Sequence, residues 1–559
     1  MGSEAIGRMA DGWQLSRREF LRAVSILGAS AALPLYGCRP AAIPRGRDRE
    51  ALNLTRVAVA HGADVVGYPE AAPFDPDSAY PECAHFPDAA PGANGAYRLV
   101  REALRLLHPE GFGSPGWNPL AAIIRPGDSV LIKPNLVDDV RWEQCRITHP
   151  SVLRAVIDYA RKACGPSGSV LVGEGPYMAG VWERVIEASG IRAMVEQLAC
   201  EGGAPVCLVN LNDATKETAR FVDLGQYSEL AGIDRQWQDS CGRPLQSVDD
   251  RPVTAYRIAP AVLDADVVIS VPKAKVHTTA GVTLAMKNLV GIVPCLPDAE
   301  GLSRLKDCAH LSDRDARHGK RGQSVDNDTI WRTVADLNRI LLYADREGRI
   351  RSEPQRRYLA VVDGILAGEA GLFNPRPAAL GTIVAGTDPV AVDAVASRVM
   401  GFDPRRIRTV ARSSNTERLP LGTADPARIG VLTSAGADLS AMFRKSLEPE
   451  TQLYSWRGAV EAGDFDAPEI SDAAWNPRTG EVAVRIKDVS GAARVCATYR
   501  SDHSIETEEM TLERGTAMHG EWRGCLRARI PTGGVTFTAT DCLFNTASRE
   551  VAEAEFRSL

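Results

Sequence analysis

The sequence predicts an α/β fold, a largely parallel sheet flanked by helices, followed by a small all-β sandwich. Three observations carry this. From Arg56 onward, short apolar segments alternate with segments of helical spacing, the order that builds βαβ units. The apolar segments, such as VLIKPN and VVISVP, lack period-two alternation, as strands covered on both faces do. Near Asp466 the texture changes: in EVAVRIKDVSG, Val482, Val484 and Ile486 alternate with charged or small neighbours, the mark of a strand with one buried face.

In chain order, residues 1–38 read as a targeting peptide. Arg17 and Arg18 precede a modest apolar stretch, interrupted near its start by Arg22 and too short to span a bilayer comfortably. Ser16-Arg17-Arg18-Glu19-Phe20-Leu21 resembles the bacterial twin-arginine export signal. That implies the twin-arginine translocase as a partner during export, and a final place in the periplasm or cell envelope. Leu35-Tyr36-Gly37-Cys38 resembles a lipoprotein cleavage box. Acylation of Cys38 would anchor the chain to a membrane; simple cleavage is the alternative. Residues 39–55, rich in Pro, Arg and Ala, read as a linker.

The α/β region then spans 56–465. TRVAVAHG is a strand, the Pro- and Asp-rich stretch from Tyr68 to Gly95 an irregular insertion, and YRLVREALRLL a helix. DSVLIKPN is a strand. SVLRAVIDYARKACG is a helix, with Pro150 in its first turn and Gly165 at its end. GSVLVGEG, APVCLVNLND and DADVVISVPK are strands, with one or two helices in VIEASGIRAMVEQLAC. NDTIWRTVADLNRILLYA is a long helix. RYLAVVDGI, GTIVAGTD and ARIGVLTS are further strands, with helices after Asp388 and around Arg405. Residues 466–559 read as the sandwich, of immunoglobulin-like type.

Bulk properties exclude some functions. The 559 residues exceed one ordinary core. A net charge of -6 without a long basic run argues against nucleic acid as a partner. The 12 cysteines form no CxxC pair, so no ferredoxin-type cluster loop is predicted.

Polar residues recur where strands end. Lys133, Glu174, Lys273 with Lys275, Asp363 and Asp388 each follow an apolar run. In parallel sheets the carboxyl ends of strands line the ligand crevice, so these residues are expected to converge. Lys133, Lys273, Lys275 and Lys287, with Asn135 and Asn288, suit an anionic small molecule. A desolvated lysine with a lowered pKa also suits base or Schiff-base chemistry. Lys275, His277, Lys287 and Asp363 are the catalytic candidates. Lys133, Asn135, Glu174, Lys273, Asn288, Asp388 and Asp393 are the ligand-binding candidates. The alternative is that the lysines pair with Glu174, Asp363, Glu369 or Asp393 and only hold loops together. Asp388 before Pro389 also fits a helix cap. His277 and His310, with Asp363 or Glu369, are candidates for a metal site, against the alternative of hydrogen-bonded structural histidines. No cofactor is identified beyond that candidate ion.

VLIKPNLV, THPSVLRAVIDYA, DADVVISVPKAKVHTTAGVTLAMKNLVGIVP, LAVVDGILAGEAG and GTDPVAVDAVASRVMGFDP together resemble the domain-of-unknown-function family DUF362, from about Arg56 to Ser434. The resemblance carries over to Lys133, Asn135, Lys273, Lys275, His277, Lys287, Asn288, Asp363, Asp388 and Asp393. It implies little about activity. Some relatives fuse the domain to a ferredoxin-like module with two four-iron clusters, which implies redox work. This chain lacks the cluster motif and carries the β-sandwich instead, so an iron–sulfur cluster is not expected. Three functions stay open: an exported enzyme, a lipid-anchored binding protein for an anion, and a structural subunit of an envelope complex.

Overall fold

Apolar runs bounded by turns become the strands of one large sheet in the computed structural model. It describes residues 54–83, 94–137, 145–177, 181–215, 217–232, 254–295, 327–371, 375–434, 439–444, 447–449, 459–476, 478–500, 504–526 and 534–559. The targeting peptide, the linker up to residue 53, Cys38 and His310 lie outside the described residues.

The strands are β1 (Thr55–His61), β2 (Ser129–Pro134), β3 (Ser169–Glu174), β4 (Val206–Asn210), β5 (Arg220–Asp223), β6 (Ala255–Ile258), β7 (Val267–Val271), β8 (Lys273–His277), β9 (Gly281–Thr283), β10 (Arg357–Glu369), β11 (Arg376–Gly386) and β12 (Ile429–Thr433). The helices used below are α1 (Gly95–Leu107), α2 (Pro150–Cys164), α3 (Trp182–Ala188), α4 (Ile191–Cys200), α5 (Pro260–Asp264), α6 (Ala285–Asn288), α7 (Ile330–Tyr343) and α8 (Pro389–Val399). The main sheet runs β12-β1-β11-β10-β7-β2-β3-β4, with β8 pairing β10 and β9 pairing β8.

This sheet is mixed. β11 runs antiparallel to β1 and β10, and β9 antiparallel to β8; the other pairings are parallel. The sequence reading expected a largely parallel sheet. The exceptions follow from connection length: a parallel return needs a crossover of roughly a dozen residues or more. The short links from Glu369 to Arg376 and from His277 to Gly281 leave only a hairpin.

Alternate residues of the strands enter different cores. Val130 and Ile132 of β2, with Val267 and Ile269 of β7, pack on the side of α1, α2 and α4. Leu131 and Val268 pack on the side of α6, α7 and α8. Both faces are therefore covered, which is why the strands show no polar alternation. Lys133 shares the Leu131 face by the two-residue period, and so points toward α6.

Local signals set the helix ends. Gly165, at φ 64, ends α2. Gly190, at φ 78, separates α3 from α4, so the doubtful segment forms two helices.

The C-terminal strands are β13 (Glu469–Trp475), β14 (Glu481–Lys487), β15 (Ala492–Arg500), β16 (Ile505–Glu509), β17 (Thr511–Gly515), β18 (His519–Cys525), β19 (Val535–Asp541), β20 (Thr546–Val551) and β21 (Arg557–Ser558). They form two sheets, β17-β18-β14-β13-β21 and β16-β15-β19-β20. The sheets share one core: Val484 and Trp522 from the first meet Val495 and Phe537 from the second. The turn after β19 joins this pair to the α/β body. Phe544 is buried in the core that contains α8. The fully buried Arg398 of α8 donates to Leu543 O at 2.8 Å, Asn545 Oδ1 at 3.0 Å and Asp464 O at 2.9 Å. Residues 50–559 accordingly make one compact unit.

Candidate functional site at the strand ends

Lys133 ends β2 and is fully buried. Its Nζ donates to Glu174 Oε2 at 2.7 Å, Asn288 Oδ1 at 3.1 Å and Pro134 O at 3.0 Å. Three donors thus meet three acceptors, which a buried ammonium requires. Glu174, at the end of β3, also accepts Leu136 N at 3.2 Å and Gly175 N at 2.8 Å. Asn288 Nδ2 donates to Lys133 O at 2.9 Å and Ser270 Oγ at 3.0 Å. This knot ties β2, β3, β7 and α6 together. Burial pushes the Lys133 amine below the usual lysine range, and Glu174 opposes that shift. Gly291 closes over the pair. A Cβ there would stand 1.7 Å from Glu174 Oε1 and 2.8 Å from Lys133 Nζ, so no side chain fits.

A second knot forms around Asp363 of β10. Its register partner is Lys273 of β8, and Lys273 Nζ donates to Asp363 Oδ2 at 3.0 Å and to Tyr68 OH at 2.5 Å. Tyr68 OH donates to Asp363 Oδ1 at 2.6 Å. Asp363 also accepts His149 N at 3.0 Å. The Tyr68 ring stacks on His149 with centroids 4.0 Å apart. Burial first, and the Asp363 charge second, hold the Tyr68 hydroxyl well above its usual range, so it stays a neutral donor. Burial, with the Lys273 charge adding to it, holds His149 well below the usual histidine range. Its neutral ring accepts Ser151 N at Nδ1 and so caps α2.

Further along β8, Lys275 Nζ donates to Arg146 O at 2.5 Å. His277 Nδ1 accepts Thr279 N at 3.1 Å and Ala280 N at 3.3 Å, closing the β8–β9 turn. With Nδ1 so committed, a metal could reach only Nε2. The proposed second ligand, His310, lies outside the described residues. Asn135 joins no knot through its side chain: its Oδ1 is buried without a hydrogen-bond partner among the described residues.

The two aspartates of α8 are caps. Asp388 Oδ1 accepts Val390 N and Ala391 N, both at 2.9 Å, and its Oδ2 accepts Thr423 N at 3.0 Å. Asp388 therefore holds its own helix. Asp393 acts on another helix: its carboxylate accepts Ala285 N at 2.7 Å and Met286 N at 3.0 Å. A buried carboxylate thus fixes the first turn of the four-residue α6, which carries Lys287 and Asn288. Burial pushes Asp393 up to about 7.

Lys287 differs from the other three lysines. The residue keeps partial exposure, and its amine makes no hydrogen bond or ion pair among the described residues. Burial first, and the neighbouring Lys133 charge second, lower its pKa to about 7. Lys133 and Lys273 spend their charge on carboxylates, as the alternative reading of the sequence had it. Among the described residues Lys287 has no such use for its own. Near neutral pH a large share of its amine is free base, the form that attacks carbonyls or takes protons. Tyr68, His149 and Gly291 were absent from the sequence-derived candidates. His149 before Pro150 carried a helix-start signal, while Tyr68 in its irregular insertion carried none.

The family model "Domain of unknown function (DUF362)" matches residues 130–210 and 198–398. Over these residues the α/β body is similar to the DUF362 family. The matched segment holds both knots except Tyr68. A relative, the thylakoid-associated protein sll1697 of Synechocystis, is 26% identical over 302 residues, covering 53% of this chain and 70% of the relative. Among the described residues, no helix of the chain is long and apolar enough to cross a membrane.

Proposed function

We propose that this chain is a DUF362 protein and an exported enzyme acting on an anionic small molecule, with Lys287 as its reacting amine. The Lys287 amine, with its pKa lowered to about 7 and no partner among the described residues, carries the reading. The two satisfied knots provide a rigid frame, as a reacting group needs. Lys133 beside Lys287 favours a substrate with negative charge, which would relieve the repulsion between the two amines. Lys275 and Asn135 are the further ligand groups in this reading, and a metal at His277 and His310 is its optional electrophile. The twin-arginine signal, the lipid anchor at Cys38 and the immunoglobulin-like docking module belong to the same proposal. The relative's thylakoid association is in keeping with a protein held at a membrane.

The test is a panel of phosphates, monocarboxylates, dicarboxylates and keto acids, screened by thermal shift against the wild-type chain and K287M. A stabilising anion is expected to lose about tenfold or more in affinity with K287M and to be converted, by NMR, only by the wild type. Equal binding to both chains would remove Lys287 from the site. Release of every bound anion unchanged would turn the enzyme into a binding protein.

A further inference from the structure

Asp464, Asp488 and Asp541 lie where the C-terminal sheets meet the α/β body. Each offers a carboxylate oxygen within 4.8 Å of the others. They keep 9%, 6% and 0% of their exposure. They arrive from three segments: Asp464 precedes β13, Asp488 follows β14 and Asp541 ends β19.

The local hydrogen bonds leave the cluster incomplete. Asp541 accepts Leu543 N, Asn545 N and Asn545 Nδ2. Asp488 Oδ1 accepts Ser490 Oγ and Gly491 N. Asp464 Oδ1 accepts Asp466 N, but its Oδ2 is buried with no hydrogen-bond partner among the described residues. The nearby Arg398 directs its guanidinium to the carbonyls of Leu543, Phe443 and Asp464 and to Asn545 Oδ1, not to the carboxylates. An orphaned, buried carboxylate oxygen is costly unless a cation meets it.

We propose that Asp464, Asp488 and Asp541 form a divalent-cation site of the calcium class that clamps the C-terminal sheets to the α/β body. The donors are all hard oxygens, which select calcium or magnesium over the softer transition metals. The three oxygens lie within 4.8 Å of one another, close enough to share one calcium ion, whose ligands stand about 2.4 Å from it. Magnesium, held at about 2.1 Å and reluctant to shed water, suits such a buried all-protein set of ligands less well. Burial and mutual repulsion raise Asp488 and Asp541, the latter to about 6, and a bound cation would reverse both effects.

The experiment uses the full chain, stripped with EGTA, in equilibrium dialysis against calcium and in thermal melts with calcium or magnesium chloride. One calcium ion per chain is expected, with a melting rise of about 5 °C or more at about 10 mM calcium and a smaller rise with magnesium. D464N and D488N should each lose the bound ion and the rise. Folded wild-type chain without stoichiometric calcium, or a D464N or D488N chain that binds as well as wild type, would overturn the site. The wild-type dialysis decides the question even where a variant fails to fold.

Discussion

Replacing Glu174 with leucine is expected to cost about 3–5 kcal/mol of stability, the usual penalty for leaving a buried charge unpaired. Lys133 has no exposure through which water could take over from the carboxylate. The lost partner stands 2.7 Å away, and Leu136 N and Gly175 N lose an acceptor as well. The double variant K133M/E174L should recover most of the loss, because replacing both members of a buried pair by apolar groups is often neutral. Urea denaturation of the two variants measures this directly. A single-variant cost below about 1 kcal/mol is what an exposed pair would give, and it would show that the knot is open to water.

Asp363→Asn should have the next largest effect, about 3 kcal/mol, although it changes no volume. The carboxylate accepts Tyr68 OH, Lys273 Nζ, His149 N and Ile365 N. An amide offers a single acceptor and turns an NH2 group toward the remaining donors. It also leaves the Lys273 charge without its counter-ion. Y68F, which removes one neutral hydroxyl from the same knot, should cost only about 1 kcal/mol. Equal costs for D363N and Y68F would mean that packing, not charge, holds this corner together.

Much of this arrangement was legible in the sequence. Apolar runs that end in Lys, Glu or Asp mark the carboxyl ends of strands, and the structure brings Lys133 to Glu174 and Lys273 to Asp363 there. The cap at Asp388 was legible because an aspartate before proline has few other uses. Strand direction was not: the residues of β11 read the same either way, and only the short link to β10 reverses it. The partner of Asp393 was hidden for a related reason. Helical spacing tells which residues share a face, but not that another helix begins against that face. Tyr68 sits in a segment with no periodic pattern, so nothing linked it to an aspartate almost 300 positions away. That no described residue pairs with the Lys287 amine depends on where the other charges end up, which is a property of the folded chain alone.

The central claim is that Lys287 holds a near-neutral amine. Competitive labelling of the full chain with an amine-reactive reagent across the pH range, read at Lys287 by mass spectrometry, tests it. The account predicts half-maximal reactivity at a pH of about 7. A midpoint near the ordinary lysine value of about 10.4 would contradict it and leave the strand ends with structural ion pairs only.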